Sequence, residues 1–247
     1  MTPLTRGLYT ARLATCPQDR ATALALRHLC FRAARGQSAS TTDADPYDAA
    51  CQHVLVTTQG VAVAGFRTQY FAQNQSFSGS YAAQFYNLSN FERQPGPMIE
   101  LGRFCLHPDH PDPDILRLAW ASLTMLVDAA QATTLFGCTS FDGADPARHY
   151  AALSYLFHHH TGPETSRPGR IAPQTVTSRD LGPPDQRPRL PPLLKTYLAM
   201  GGWVSDHAVL DHDLDTTHVF TALTIAAIPP ARAHALRLLA NSGRQTG

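Results

Sequence analysis

The stretch Met98 to Pro108, MIELGRFCLHP, limits the possible folds more than any other. Met98, Ile99, Leu101, Phe104 and Leu106 read as a buried strand, yet Glu100 and Arg103 place charges within it. An ionised side chain in a core strand needs a partner, because burying it alone costs several kcal/mol or more. Two readings meet that demand. Either the charges pair with each other or alternate out to solvent, or Glu100 is a carboxylate held at a strand end as a general base. The Pro108 to Asp114 loop follows, then a helix from Ile115 to Ala130 with Leu116, Trp120, Leu123 and Val127 at helical spacing, then a strand from Thr134 to Thr139. Strand, loop, helix and strand form a crossover, which implies an α/β sheet with a parallel pair.

Upstream, Leu8 to Ala14 alternates as a strand, and Pro17 with Asp19 opens a helix running to Cys30. The loop Arg35 to Asp48 is polar and ends in Asp43, Asp45 and Asp48. His53–Thr58 and Val61–Tyr70, joined at Gln59-Gly60, read as a hairpin. Arg67 on its second strand either grips a carboxylate with its forked guanidinium or points outward. Phe71 to Pro97 is aromatic without clear periodicity, apart from a periodic stretch at Tyr86 to Glu92, and such stretches are more often core than ligand pocket.

Downstream, Asp145-Pro146 caps a helix from Ala147 to Phe157. His158-His159-His160 ends it, and three adjacent ligands cannot converge on one metal. From Thr161 to Pro192 the chain is rich in Pro, Gly and Arg, with Arg167, Arg170, Arg179, Arg187 and Arg189 against Glu164, Asp180 and Asp185, and one strand at Gln174 to Ser178. It reads as a surface connection or as a basic docking face. A short helix at Leu193 to Leu198, a strand from Trp203, a last strand from Phe220 to Ala227 and a helix from Pro230 to Leu239 complete the chain.

The 247 residues, 43% hydrophobic, are read as one domain, with a core of about residues 8–160 and a distinct C-terminal portion of about 161–247. A net charge of +1 argues against nucleic-acid binding, and the basic residues are nearly all Arg, Lys195 being the only lysine. Five cysteines without a C-x-x-C pattern fit reduced thiols in the cytoplasm. The first residues lack a signal-peptide core and no apolar run approaches the ~20 residues of a spanning helix. The expectation is a cytoplasmic protein with at most peripheral membrane contact.

ELGRFCLHP, followed by a helix and LFGCTSFDGAD, resembles the GNAT-fold N-acyltransferases that make lyso-ornithine lipid, relatives of the acyl-homoserine-lactone synthases, whose corresponding strand carries a Glu-x-x-Arg-Phe pattern. Arg27-His28-Leu29-Cys30-Phe31-Arg32 is similar to the end of their first helix, and Asp45-Pro46-Tyr47-Asp48 before Cys51-Gln52-His53-Val54-Leu55-Val56 to their D-x-x-[YF]-D element and following strand. Gly65-Phe66-Arg67 matches their Gly-x-x-Arg strand with one residue fewer. The resemblance covers most of residues 8–225 and is strongest at 97–109, 134–145 and 190–223.

It implies an α/β GNAT-like fold, a mixed central β-sheet flanked by helices with a C-terminal extension. The implied reaction moves a 3-hydroxy fatty acyl group from acyl carrier protein to the α-amine of ornithine. Glu100 would be the base, Arg103 would orient substrate or tune the carboxylate, and Arg27, Asp45, Asp48 and Arg67 would bind substrate. No metal and no cofactor are expected beyond the acyl-phosphopantetheine of the carrier. His107 to Pro113 has no glycine and three prolines, a poor grip for the pyrophosphate of CoA. The terminal helix, with Arg232, His234 and Arg237, either docks on the domain or touches the inner membrane. The alternatives are another acceptor amino acid, homoserine-lactone synthesis from S-adenosylmethionine, and a GNAT-shaped binding protein without catalysis.

Overall fold

The computed structural model describes residues 1–36, 42–184 and 188–243. Asp185 and Arg187 lie outside them. In chain order the strands are β1 (Leu4–Arg6), β2 (Tyr9–Leu13), β3 (Gln52–Thr58), β4 (Val61–Phe71), β5 (Tyr86–Asn87), β6 (Met98–Leu106), β7 (Thr134–Asp142), β8 (Gly169–Arg170), β9 (Thr175–Thr177), β10 (Trp203–Asp211) and β11 (Thr216–Thr224). The helices are α1 (Pro17–Phe31), α2 (Pro113–Ala129), α3 (Tyr150–His159), α4 (Pro192–Ala199) and α5 (Pro230–Ser242). Two compact units result: Met1–Tyr70, Leu101–Ala132 and Pro230–Gly247 form the first, Phe71–Glu100 and Thr133–Pro229 the second.

In the first unit β1, β2, β3, β4 and the later part of β6 are neighbours in that order. Gln59 and Gly60 both take positive φ, 48° and 83°, which lets a two-residue turn join β3 to β4 without splaying them. Eight residues of β4 in succession, Ala62 to Gln69, are buried, so no polar face alternates along it. Helix α1 lays Ala23 and Leu26 against Leu55, Ala62 and Cys105. Helix α2 buries ten residues from Ile115 to Val127, and α5 docks on it, with Arg237 Nε and Nη2 bound to the Asp128 carboxylate at 3.0 and 2.9 Å.

In the second unit Met98, Ile99 and Glu100 of β6 pair in parallel with Thr134, Leu135 and Phe136 of β7, the expected crossover geometry. β7, β11, β10 and β9 continue in antiparallel order. The aromatic stretch after Phe71 is core: Phe71, Phe77, Tyr86 and Phe91 are buried with Phe136 and Phe220. β10 bulges between Val204 and Ala208, and Ser205 repairs the ladder there, its Oγ donating to His207 O at 2.6 Å and accepting from Phe220 N at 3.1 Å. Gly162 packs so tightly on Trp203 that a Cβ would stand 2.2 Å from the indole ring.

Three elements differ from the sequence reading. β11 starts at Thr216, and Thr216, Thr217 and His218 are buried because both edges of the strand are paired, which suits β-branched threonines despite their hydroxyls. Residues 225–227 form a 3-10 turn. Tyr86 to Glu92 divides into a two-residue strand and a 3-10 turn at Phe91–Arg93. The helix expected from Ala147 begins as a 3-10 turn at Pro146–His149, capped by Asp145 accepting from Ala147 N, before α3 proper. No helix among the described residues is long and apolar enough to cross a membrane.

Candidate active site

The first unit gathers five of the six predicted site residues in one cluster. Arg27 stands on the third turn of α1, facing inward. Its Nε and Nη2 donate to Asp43 Oδ2 at 3.1 and 3.0 Å, and its Nη1 donates to Asp48 Oδ1 at 2.5 Å. Arg67 Nη1 on β4 reaches both Asp45 Oδ1 and Asp48 Oδ1, at 2.5 and 2.6 Å. Arg103 Nε on β6 donates to Asp43 Oδ2 at 3.0 Å and its Nη2 to Asp45 Oδ2 at 3.1 Å. Arg27 and Arg67 are each 2% exposed, so these are buried ion pairs whose desolvation must be offset by the number of charged hydrogen bonds.

Local sequence sets the carboxylates. Asp45 and Asp48 form a capping box on the 3-10 turn Pro46–Ala50: Asp45 Oδ1 accepts from Tyr47 N at 3.0 Å and Asp48 Oδ2 from Asp45 N at 2.9 Å. Pro46 at the first position of that turn has no N–H to leave unpaired. The turn holds both carboxylates by local hydrogen bonds that do not involve the arginines. The Arg67 side chain lies across β6 at Gly102, where a Cβ would be in van der Waals contact with it at 3.4 Å. Arg103 itself takes φ 52°, a left-handed conformation that a non-glycine residue adopts at a cost of about 1–2 kcal/mol.

Two members of the cluster were not among the predicted site residues. Asp43 is the most heavily partnered carboxylate, bound by Arg27, Arg103 and, at 3.0 Å, by Arg32 Nε. Its only sequence signal was membership of an acidic loop. Among the described residues the cluster sets four arginines against three aspartates, a surplus of one positive charge. His53, with Nε2 3.6 Å from Asp48 Oδ1, borders it, and burial lowers its pKa against the opposing pull of Asp48.

Burial by itself raises the Asp48 pKa, but hydrogen bonds from Arg27, the Asp45 backbone and Arg67 more than offset it and hold it at about 2. Asp43 is lowered against its burial by Arg103 and Arg27. In the unfolded chain Asp48 titrates near 3.8, so the cluster's stabilisation is complete above about pH 4 and is lost as the pH falls toward 2. Urea midpoints are therefore expected to be flat from pH 7 to 5 and to fall steeply below pH 4. In Asp48→Asn the part of that fall due to Asp48 should vanish.

Glu100, the sixth predicted residue, belongs to the second unit. It is 5% exposed and both its oxygens are engaged: Oε1 accepts from Ser80 Oγ and Ala82 N, each at 2.8 Å, and Oε2 accepts from Tyr81 N at 2.9 Å. Ser80 is fully buried, and in the sequence nothing distinguished it from other loop serines. Glu100 thus anchors the segment before the 3-10 turn Ala82–Gln84 to the end of the β6–β7 ladder.

A protein-family model described as an acetyltransferase (GNAT) domain matches residues 26–121. An L-ornithine N(alpha)-acyltransferase from Brucella abortus is 31% identical over 201 residues, 75% of this chain and 71% of the relative. One from Rhodobacter capsulatus is 29% identical over 236 residues, 89% of this chain and 91% of the relative. Among solved structures, the N-acyl amino acid synthase FeeM from uncultured soil microbes superposes with a TM-score of 0.51 at 11% identity, covering 95% of this chain and 98% of its own. The CoA-dependent acyl-homoserine lactone synthase BjaI gives 0.51 at 13% identity, covering 94% and 88%. The structural matches share the fold, and the sequence matches show the lineage: this chain is an acyltransferase of GNAT fold and belongs to the L-ornithine Nα-acyltransferase family.

Proposed function

We propose that the protein transfers a 3-hydroxy fatty acyl group from the phosphopantetheine thioester of an acyl carrier protein to the α-amine of ornithine, giving lyso-ornithine lipid. The observation that carries the reading is the match to L-ornithine N(alpha)-acyltransferases, which with the Rhodobacter relative runs over nearly the whole of both chains. The reaction needs an unprotonated amine, a base to take its proton and a donor thioester. Glu100, acting through a water molecule, is the proposed base. The surplus positive charge of the arginine cluster suits the acceptor's carboxylate, with Arg103 and Arg32 the least buried of its guanidinium groups.

The N-terminus of α2 supports a carrier protein over CoA as donor. Nucleotide pyrophosphates favour a helix start with several unoccupied N–H donors. Here Asp112 caps α2, its Oδ1 accepting from Asp114 N at 2.8 Å and its Oδ2 from Tyr9 OH at 2.8 Å, while Pro113 at the first position offers no N–H. Asp114 adds a second carboxylate in that first turn, paired with Arg6 and Arg117. The capped, proline-started turn leaves few N–H donors free for a pyrophosphate.

Purified protein incubated with ornithine and either 3-hydroxyacyl carrier protein or the matching acyl-CoA tests the reading by mass spectrometry. The expected result is N-(3-hydroxyacyl)ornithine from the carrier protein at a rate at least ~10-fold above that from acyl-CoA, equivalent to about 1.4 kcal/mol. A faster reaction with acyl-CoA would overturn the donor assignment. Another acylated amino acid would correct the acceptor, and a lactone formed with S-adenosylmethionine would replace the reading.

A further inference from the structure

Two thiols far apart in sequence meet in the first unit. Cys30 lies on the last turn of α1 and Cys105 near the end of β6. Cys30 Sγ packs against the backbone of Leu106, the residue after Cys105, and the two cysteines share the apolar cluster of Ala23, Leu26, Leu55 and Ala62. Each is further fixed by a backbone carbonyl: Cys30 Sγ donates to Leu106 O at 3.3 Å and Cys105 Sγ approaches Gly65 O at 3.7 Å. Their surroundings differ. Cys30 is partly exposed, whereas Cys105 is buried. The hydrogen bond from Cys105 lowers the Cys30 pKa, and the same bond with burial raises that of Cys105. One thiol is therefore open to small oxidants and readier to ionise, and the other is a protected proton donor beside it, the division of labour between an attacking and a resolving cysteine.

We propose that Cys30 and Cys105 are a reversible oxidation site at which peroxide converts the paired thiols into an intramolecular disulfide. The Cys30 thiolate attacks one peroxide oxygen, the O–O bond breaks, and Cys30 becomes a sulfenic acid with release of hydroxide. The Cys105 thiol then attacks the Cys30 sulfur, the S–O bond breaks, and water leaves after taking up a proton. Both sulfurs are oxidised and both peroxide oxygens end as water. A dithiol reductant reverses the step by thiol–disulfide exchange. Cys30 follows Arg27 by three residues and Cys105 follows Arg103 by two, so the new bond would tie the end of α1 to β6 beside two arginines of the charge cluster.

The test treats the full chain with hydrogen peroxide, blocks remaining thiols under denaturing conditions and maps tryptic peptides without reduction. The expected product joins the peptides His28–Arg32 and Phe104–Arg117, and titratable thiols fall from five to three, returning to five with dithiothreitol. In Cys105→Ser the disulfide should be absent and Cys30 should be trapped by dimedone as a sulfenic acid. Should that variant fold poorly, Cys30→Ser serves instead, and peroxide should leave its Cys105 reduced. A disulfide to Cys16, Cys51 or Cys138, Cys30 oxidised to the sulfinic acid while Cys105 stays free, or no loss of thiols would each overturn the proposal.

Discussion

Exchanging Glu100 for Gln is expected to lower the acyl-transfer rate by about 10²- to 10⁴-fold, the usual worth of a positioned general base. The exchange also disturbs structure, because the carboxylate accepts from Ser80 Oγ, Tyr81 N and Ala82 N. A Gln side chain satisfies one side of that set but turns an NH₂ toward a backbone N–H, leaving a buried donor unpaired at about 1–3 kcal/mol. Both quantities are therefore measured, kcat at saturating donor and the urea midpoint. Ser80→Ala separates them, since it removes one donor and leaves the carboxylate. If Ser80→Ala loses as much activity as Glu100→Gln at equal stability, Glu100 is an anchor for the 80–82 segment and not the base.

The second large effect falls on stability. Asp43→Asn should destabilise the protein by about 3–5 kcal/mol, because it leaves Arg27, Arg32 and Arg103 buried or half-buried around a neutral group. The exposed Asp109, changed in the same way, should shift stability by no more than about 0.5 kcal/mol. Chemical denaturation of the two variants decides the matter. A loss under 1 kcal/mol for Asp43→Asn would mean that solvent reaches the cluster and screens it. Combining Asp43→Asn with Arg32→Met should recover part of the loss, since the two residues share one interaction and their effects cannot add.

Much of this architecture was legible before any coordinates. The hairpin at Gln59-Gly60, the strand Met98–Leu106 and the helix after it follow from short-range signals: a Gln-Gly turn, an apolar run and apolar residues at helical spacing, although the helix opens at Pro113, inside the expected loop. The charges at Glu100, Arg67 and Arg103 were conspicuous because they interrupt apolar patterns, whereas Arg27, Asp45 and Asp48 became site candidates only through the family resemblance. Asp43 and Ser80 were not legible as partners. Each sits in a polar loop where an acidic or hydroxyl residue is ordinary, and only the fold reveals that both are buried. The start of β11 at Thr216 escaped for a related reason, since threonine looks like surface until both strand edges are known to be covered.

The division of the chain has a consequence for how the molecule is made. The first unit takes its chain from three separate stretches, and its last piece is α5, which covers α2 and fastens Asp128 through Arg237. On a ribosome the residues of the second unit, Phe71–Glu100 and Thr133–Pro229, are therefore synthesised before the first unit has all its parts. Arg27 emerges early and must wait for Asp43 and Asp48, then for Arg67, then for Arg103, so the charge network closes in steps as synthesis proceeds. The capping box at Asp45–Asp48 joins residues only three apart, so it is the portion of the network whose partners leave the ribosome almost together.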